Sequence, residues 1–241
     1  MLDTLPPPSP LLFWGFVALP VLVAGAVIAA VWHGQGRRGG LVALSVATLW
    51  MGGTAGLAQA GVLDVWTPPR IFLVIGPMLA GLAWASRQRW TERLGDLPLS
   101  LLVGFQSFRV LVEGLLHLAV LEGVAHPTMT WSGTNWDIVP GVTALLLAPF
   151  APRLKPRTLQ TWNLLSAAVL VVTVMSGILA SPSPVRQIMG DPPNGFVAAF
   201  PFVWLPAVLV CSAWLGHIVL FRRLRIARSS ESREALSHAK L

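Results

Sequence analysis

The sequence predicts an all-α integral membrane protein, a bundle of seven transmembrane helices, and three observations carry that prediction. Hydrophobic residues make up 54% of the 241 residues and charged residues only 11%, against about 25% charged in ordinary soluble domains. The mean hydropathy is +0.68. Apolar runs of bilayer-crossing length, about 20 residues each, recur along the chain, and the short breaks between them hold nearly all the Lys and Arg.

In chain order the runs are 11–33, 41–62, 71–86, 97–121, 137–152, 159–180 and 199–221. Pro20, Pro77 and Pro206 are expected to kink the first, third and seventh. The second carries Gly52-x3-Gly56 with Gly53 and Gly61 beside it, a pattern that lets another helix approach closely; packing within the chain is expected ahead of dimerisation. The third and fifth are short. Pro140 and Pro149 interrupt the fifth, which either crosses in full or re-enters, so six crossings is the alternative count. Residues 1–221 thus form the transmembrane domain. Residues 222–241 form a basic tail, either a short helix or disordered, whose Lys and Arg attract anionic lipid at about 1 kcal/mol each near the surface. No repeat of 20–50 residues is visible, which gives an inverted-repeat transporter no support.

Every Lys and Arg except Arg70, Arg109 and Arg186 follows an odd-numbered span. By the positive-inside rule the amino terminus is expected outside and the carboxyl terminus in the cytoplasm. The first residues carry Asp3 and no base, which argues for a retained first span and against a cleaved signal peptide. Trp14, Trp66, Trp84, Trp90, Trp131, Trp136, Trp162 and Trp204 fall near span ends, as an interfacial aromatic belt would. The net charge of +7 is scattered through these breaks, so nucleic acid is not an expected partner. The lone Cys211 excludes a disulfide framework and a thiolate zinc site within the chain.

Span four contains the chemistry. Arg109, Glu113 and His117 recur every four residues, with Gln106 one turn earlier, and are expected on one helix face. A central charge left in lipid costs roughly 2.5–3.5 kcal/mol on the mildest scale, so this face must look into the bundle or a wet cavity. Two readings stay open: a self-compensated polar stripe joining helices, or a substrate, ion or proton path. In the loop that follows, Asn135 or Asp137 can cap span five; alternatively Asp137 converges on Arg109 and His117 and closes a pocket with Glu113 in the external half.

Phe108-Arg109, Glu113 and His117, followed by Pro127-x-Met129-Thr130, Gly133-x-Asn135-x-Asp137 and Gly141, resemble a pattern carried by a family of uncharacterised bacterial seven-span membrane proteins. Pro201-Phe202-Val203-Trp204-Leu205-Pro206 is similar to another segment of that family. The resemblance covers about a quarter of the chain and implies a multi-pass protein of the bacterial cytoplasmic membrane, with no reaction attached. Ser132 stands where the family pattern leads one to expect an acidic residue.

Three functions follow from these residues. The first is a binding or transport-type protein, with Arg109 holding an anionic group and Glu113 and His117 exchanging protons in a site open to the external side. The second is an intramembrane enzyme on a lipid or prenyl substrate, with His117 as base, Glu113 or Asp137 orienting it, and Arg109 on a phosphate or carboxylate. The third is a scaffold or assembly subunit. The sequence specifies no cofactor. Retinal needs a lysine within the last helix, and the two lysines are Lys155 and Lys240. His117, Glu113 and Asp137 make at most a poor metal site. His33 and His217 fall at similar expected depths, where a haem between them competes with simple helix-end roles.

Overall fold

The computed structural model describes residues 6–238, with side chains as far as Ile226; residues 1–5, which hold Asp3, and Lys240 lie outside the described residues. The helices are α1 (Pro10–Gln59), α2 (Phe72–Ala85), α3 (Arg89–Leu94), α4 (Leu99–Gly104), α5 (Phe108–Leu121), α6 (Ile138–Leu147), α7 (Pro156–Ala180) and α8 (Cys211–His238), with no strand among the described residues. The helices Pro10–Gln59, Leu99–Leu121, Pro156–Ala180 and Leu205–Ile226 are long and apolar enough to cross a membrane; Phe72–Ala85 and Ile138–Arg153 are apolar but shorter.

The 50 residues of α1 would stretch about 75 Å as a straight rod, yet Val17 and Ala24 pack in the same cluster as Trp50, Met51 and Ala55. The helix therefore folds back on itself, and the reversal lies at Gly36, with φ 70° and ψ −169°. Only glycine occupies that region without strain. Gly36→Ala is expected to lower stability by about 1–3 kcal/mol, read as a lower midpoint of thermal unfolding. Gly25→Ala, where a Cβ meets nothing within 4 Å, is the control without loss.

Three apolar clusters stratify the bundle. At one end Val31, Leu94, Leu102, Ala151, Leu159, Leu220 and Leu224 pack together. The connections at that end carry Arg37, Arg38, Arg87, Arg93, Arg153 and Lys155, so it is the basic end. At the opposite end Leu12, Leu116, Ala119, Met129, Phe196 and Phe202 form one cluster, and Ala58, Leu63, Trp66, Ile71 and Val203 form another. With α1 counted as two limbs and α4 and α5 as one rod, Leu99–Leu121, the longer helices alternate in direction between these ends. Ser9 donates from its amide and hydroxyl to Glu122 (2.8 and 2.5 Å), which pins the start of α1 to the end of α5. At the basic end Arg222 donates to the carbonyls of Ser86 and Gln88 (2.6 and 2.9 Å) and pairs with Glu92.

Leu49, Leu146 and Leu165 stand exposed on the flanks, where lipid, not water, is the compatible solvent. Several sequence expectations are corrected. The short helix α3 occupies what reads as a connection, and 199–203 forms a bend and turns before a π-helical segment, Leu205–Val210, that leads into α8. Span five ends in a 3-10 segment, Ala148–Arg153. The helix runs past Phe221 without a break, so 222–238 is helical; side chains beyond Ile226, Arg228 and Arg233 included, are outside the description. Trp66 and Trp204 are buried within the protein, where each indole N–H finds a protein acceptor, on Asp64 and on the Met51 carbonyl. Gly52, Gly53 and Gly56 meet no neighbour a Cβ would touch, so the close approach expected of them within the chain does not occur.

Candidate functional site

The polar face of span four begins in a 3-10 turn, Phe105–Ser107, between α4 and α5. Gln106 is buried there and donates to the Ala213 carbonyl at 3.0 Å. Three residues on, Arg109 is 1% exposed. Its guanidinium grips Asp137 at both oxygens, with Nε to Oδ2 at 2.7 Å and Nη2 on Oδ1. Such planar two-point pairing is the strong form of an Arg–carboxylate contact. Nη2 also reaches the Ser166 carbonyl at 3.4 Å, and Nη1 meets His217 Nε2 at 3.3 Å. Arginine has no acceptor, so Nε2 accepts and the His217 proton sits on Nδ1, facing Asn163 Oδ1 at 2.8 Å. Asn163 returns a bond to the His217 carbonyl at 3.1 Å.

Asn135 is the second hub. Its amide nitrogen donates to Glu113 Oε1 and to the Met129 carbonyl (2.9 Å). Its oxygen accepts the Asp137 amide (3.0 Å) and the Thr173 hydroxyl (2.8 Å). Both donors and both lone pairs are thereby used. The same loop bond turns the chain so that Asp137, at the N-cap position of α6, sends its carboxylate to Arg109 and caps no amide. Capping, one expectation for Asp137, is thus replaced by convergence on Arg109.

Glu113 is fully buried, and its Oε2 has no partner. His117 is only half-buried and does not join the cluster. Its ring stacks on Trp131, centroids 4.4 Å apart, and its Nδ1 is buried without a partner. The reason is angular: each four-residue step overshoots a full turn by about 40°, so His117 lies about 80° round from Arg109. The buried row follows Val112, Leu116 and Ala119 instead. The set of His117, Glu113 and Asp137 as one metal or acid–base unit is therefore not assembled. The His33–His217 haem pairing likewise does not form, since both His217 ring nitrogens are engaged and His33 is exposed.

Sequence reasoning named His217 only as a haem or helix-end candidate, not as a partner of Arg109, and missed Asn163, Ser166 and Thr173. A signal existed on α7, where Asn163, Ser166, Thr173 and Gly177 recur at helical spacing in an otherwise apolar run. Close packing positions all of this. A Cβ on Gly141 would lie 2.8 Å from Val110 Cγ2 and 2.9 Å from Val110 N, so α6 meets the α5 backbone beside Arg109. Arg109, Met129, Asn135 and Gly141, distant in the chain, meet at this one place.

Above the ion pair lies a cavity of about 130 Å³. Arg109, Asn135, Asp137 and Thr173 line its inner end, and Ser181, Ser183 and Asn194 its outer end. From Thr173 to Ser181 it extends about 12 Å along the helix. Its walls are apolar, drawn from α2, α5, α7 and the π-helical segment. Helices α2 and α7 both pack on α8, and the cleft between them gives the cavity a flank.

In the loop beside it, His126 Nδ1 accepts the Thr128 amide at 3.1 Å, a bond the protonated ring cannot make. Burial first, with Arg186 adding to it, holds this histidine below its usual 6.5, partly opposed by the Met189 backbone and Asp191. A lowered folded pKa means that the unfolded chain takes up the proton first. The contribution to stability is then complete above about pH 6.5 and is lost as pH falls from there through the folded value. The thermal midpoint is expected to drop over that window, and less steeply in His126→Asn, whose side-chain oxygen still accepts the amide. Comparisons of the chain with protein-family models, curated proteins and solved structures find no significant match.

Proposed function

We propose that this is a multi-pass protein of the bacterial cytoplasmic membrane, of binding or transport type. It crosses the bilayer seven times with its amino terminus outside and its basic end, including the tail toward anionic lipid, in the cytoplasm. Its ligand enters the cavity from the external half, and the polar cluster at the inner end exchanges protons with it. The observation that carries this reading is the cavity itself, which joins an ion pair at mid-bundle to a polar outer end on the side poor in Lys and Arg. The seven crossings draw support from the reversal at Gly36 and from the alternation of helix direction between the basic end and its opposite.

The roles differ from a free anion-binding arginine. Arg109 is committed to Asp137 and orders the site. Glu113 Oε2 and His117 Nδ1, the unpartnered buried polar atoms of α5, lie on consecutive turns about 6 Å apart along the axis. They are suited to hand a proton between the external half and the cluster. In a strain lacking the protein, Glu113→Gln is expected to fail to complement while reaching the membrane at normal levels. Full complementation by Arg109→Ala, Glu113→Gln and His117→Ala alike, at normal expression, ends the reading. Reporter fusions at the two chain ends test the topology and are expected in opposite compartments.

One observation favours a second reading, an assembly subunit with a packed polar core: Asn135 has no bonding capacity left for a ligand. On that reading the same variants lose a fixed co-purifying partner, and the wild type carries no bound small molecule in native mass spectra.

A further inference from the structure

The outer end of the cavity is built differently from the inner one. Asn194 is 2% exposed. Its amide nitrogen is tied to the Gly177 carbonyl at 2.9 Å and its backbone N–H to the Ala180 carbonyl at 2.9 Å. The side chain is thus held on both sides, and its Oδ1, buried on the cavity wall, has no partner. Ser183 Oγ, at the same end, is also buried without a partner. Leaving such groups unpaired costs roughly 1–3 kcal/mol each. Among the described residues, the charged side chains that line the cavity are Arg109 and Asp137, at the inner end and bound to each other.

We propose that this end recognises a small uncharged amphiphile through a hydroxyl group. The proposal rests on the reading of the cavity as a ligand site and adds the chemistry of the ligand. Asn194 Oδ1 only accepts, so the ligand must donate; an ether or a ketone cannot satisfy it. Ser183 can donate or accept, and a hydroxyl can meet either need. A charged head would find no charged side chain on the cavity wall at this end and would lose its hydration. The remaining wall, with Ile178, Val197 and Leu205, takes an apolar body. Size sets the scale: a dry void of about 150 Å³ accepts one benzene ring, and this cavity of about 130 Å³ is close to it. Phe72 and Val185 line the cavity and are about half exposed, each at 52%, so an apolar molecule dissolved in the bilayer meets the cleft directly.

The test uses the full chain in lipid nanodiscs, with empty discs as the partition control and fluorine NMR titration of three ring probes. They are para-fluorophenol, para-fluoroanisole, which accepts but cannot donate, and para-fluorotoluene, which does neither. Para-fluorophenol is expected to bind saturably, on the order of tenfold more tightly than the other two, as one buried hydrogen bond allows. Asn194→Leu is expected to abolish that preference while para-fluorotoluene still binds. Should Asn194→Leu fail to fold, Ser183→Ala decides, since it removes no described side-chain hydrogen bond; the preference should fall about threefold or more. Equal binding of the phenol and the toluene, or an unchanged preference in the deciding variant, overturns this inference and leaves the cavity as a ligand site. Absence of saturable binding by all three probes overturns the inference and counts against the cavity as a ligand site, on which the proposed function stands.

Discussion

Arg109→Ala is expected to cost about 3–5 kcal/mol of stability, because removing one partner of a buried pair strands the other. In the detergent-solubilised protein this reads as a fall on the order of 10 °C in Tm. Both Asp137 oxygens lose their guanidinium donors, and the Thr173 hydroxyl, which reaches Oδ1 at 3.4 Å but lies closer to Asn135 at 2.8 Å, replaces them poorly. His217 Nε2 loses its donor in the same step. The companion variant separates the pair from its surroundings: Arg109→Leu combined with Asp137→Leu is expected to recover most of the loss, since apolar replacement of a whole buried pair is often neutral. A double variant as unstable as the single one would mean that the contacts to Ser166 and His217 outweigh the pair.

Gly141→Ala is expected to damage the site through a single methyl group. Its new Cβ would sit 2.9 Å from Val110 N and 3.3 Å from the Arg109 carbonyl carbon, and backbone at a helix crossing cannot swing aside. Helix α6 must back away, at a cost of about 1–3 kcal/mol for overpacking. Asp137 lies one turn earlier on that helix, so the displacement reaches the ion pair and loss of complementation should exceed loss of stability. Gly104→Ala is the graded comparison. Its Cβ would face only the Ala148 Cβ, at 3.3 Å, and a smaller fall in Tm is expected.

Much of the architecture was legible because lipid demands that backbone polar groups be satisfied within the helix, which turns each crossing into an uninterrupted apolar run. The reversal near Gly36 was legible as the polar, glycine-rich break 34–40. A buried guanidinium requires an anion, but charge alone left Glu113 and Asp137 both open as the partner of Arg109, and the structure gives it Asp137. His217 could not be paired on charge, because it enters the cluster as a neutral acceptor and carries no charge to balance. His117 was over-read: equal spacing along a chain is not equal direction, and the drift of each four-residue step moves it toward Trp131. Trp66 and Trp204 look like interfacial residues by position, and only the nearby Asp64 oxygen and Met51 carbonyl make their burial affordable. Asn135 was named as a candidate site residue, but its saturation became visible only with Met129, Thr173 and Glu113 around it.

The π-helical segment Leu205–Val210 sets the angular phase of everything downstream. An i→i+5 turn accommodates roughly one residue more than an α-helical turn does, and one residue corresponds to about 100° of rotation. Shortening that stretch by a single amino acid would leave α8 intact as a rod yet swing its imidazole at 217 away from the guanidinium at 109. The length of this one turn thus acts as a clocking device, and insertions or deletions there alter which face of the last helix the rest of the bundle meets.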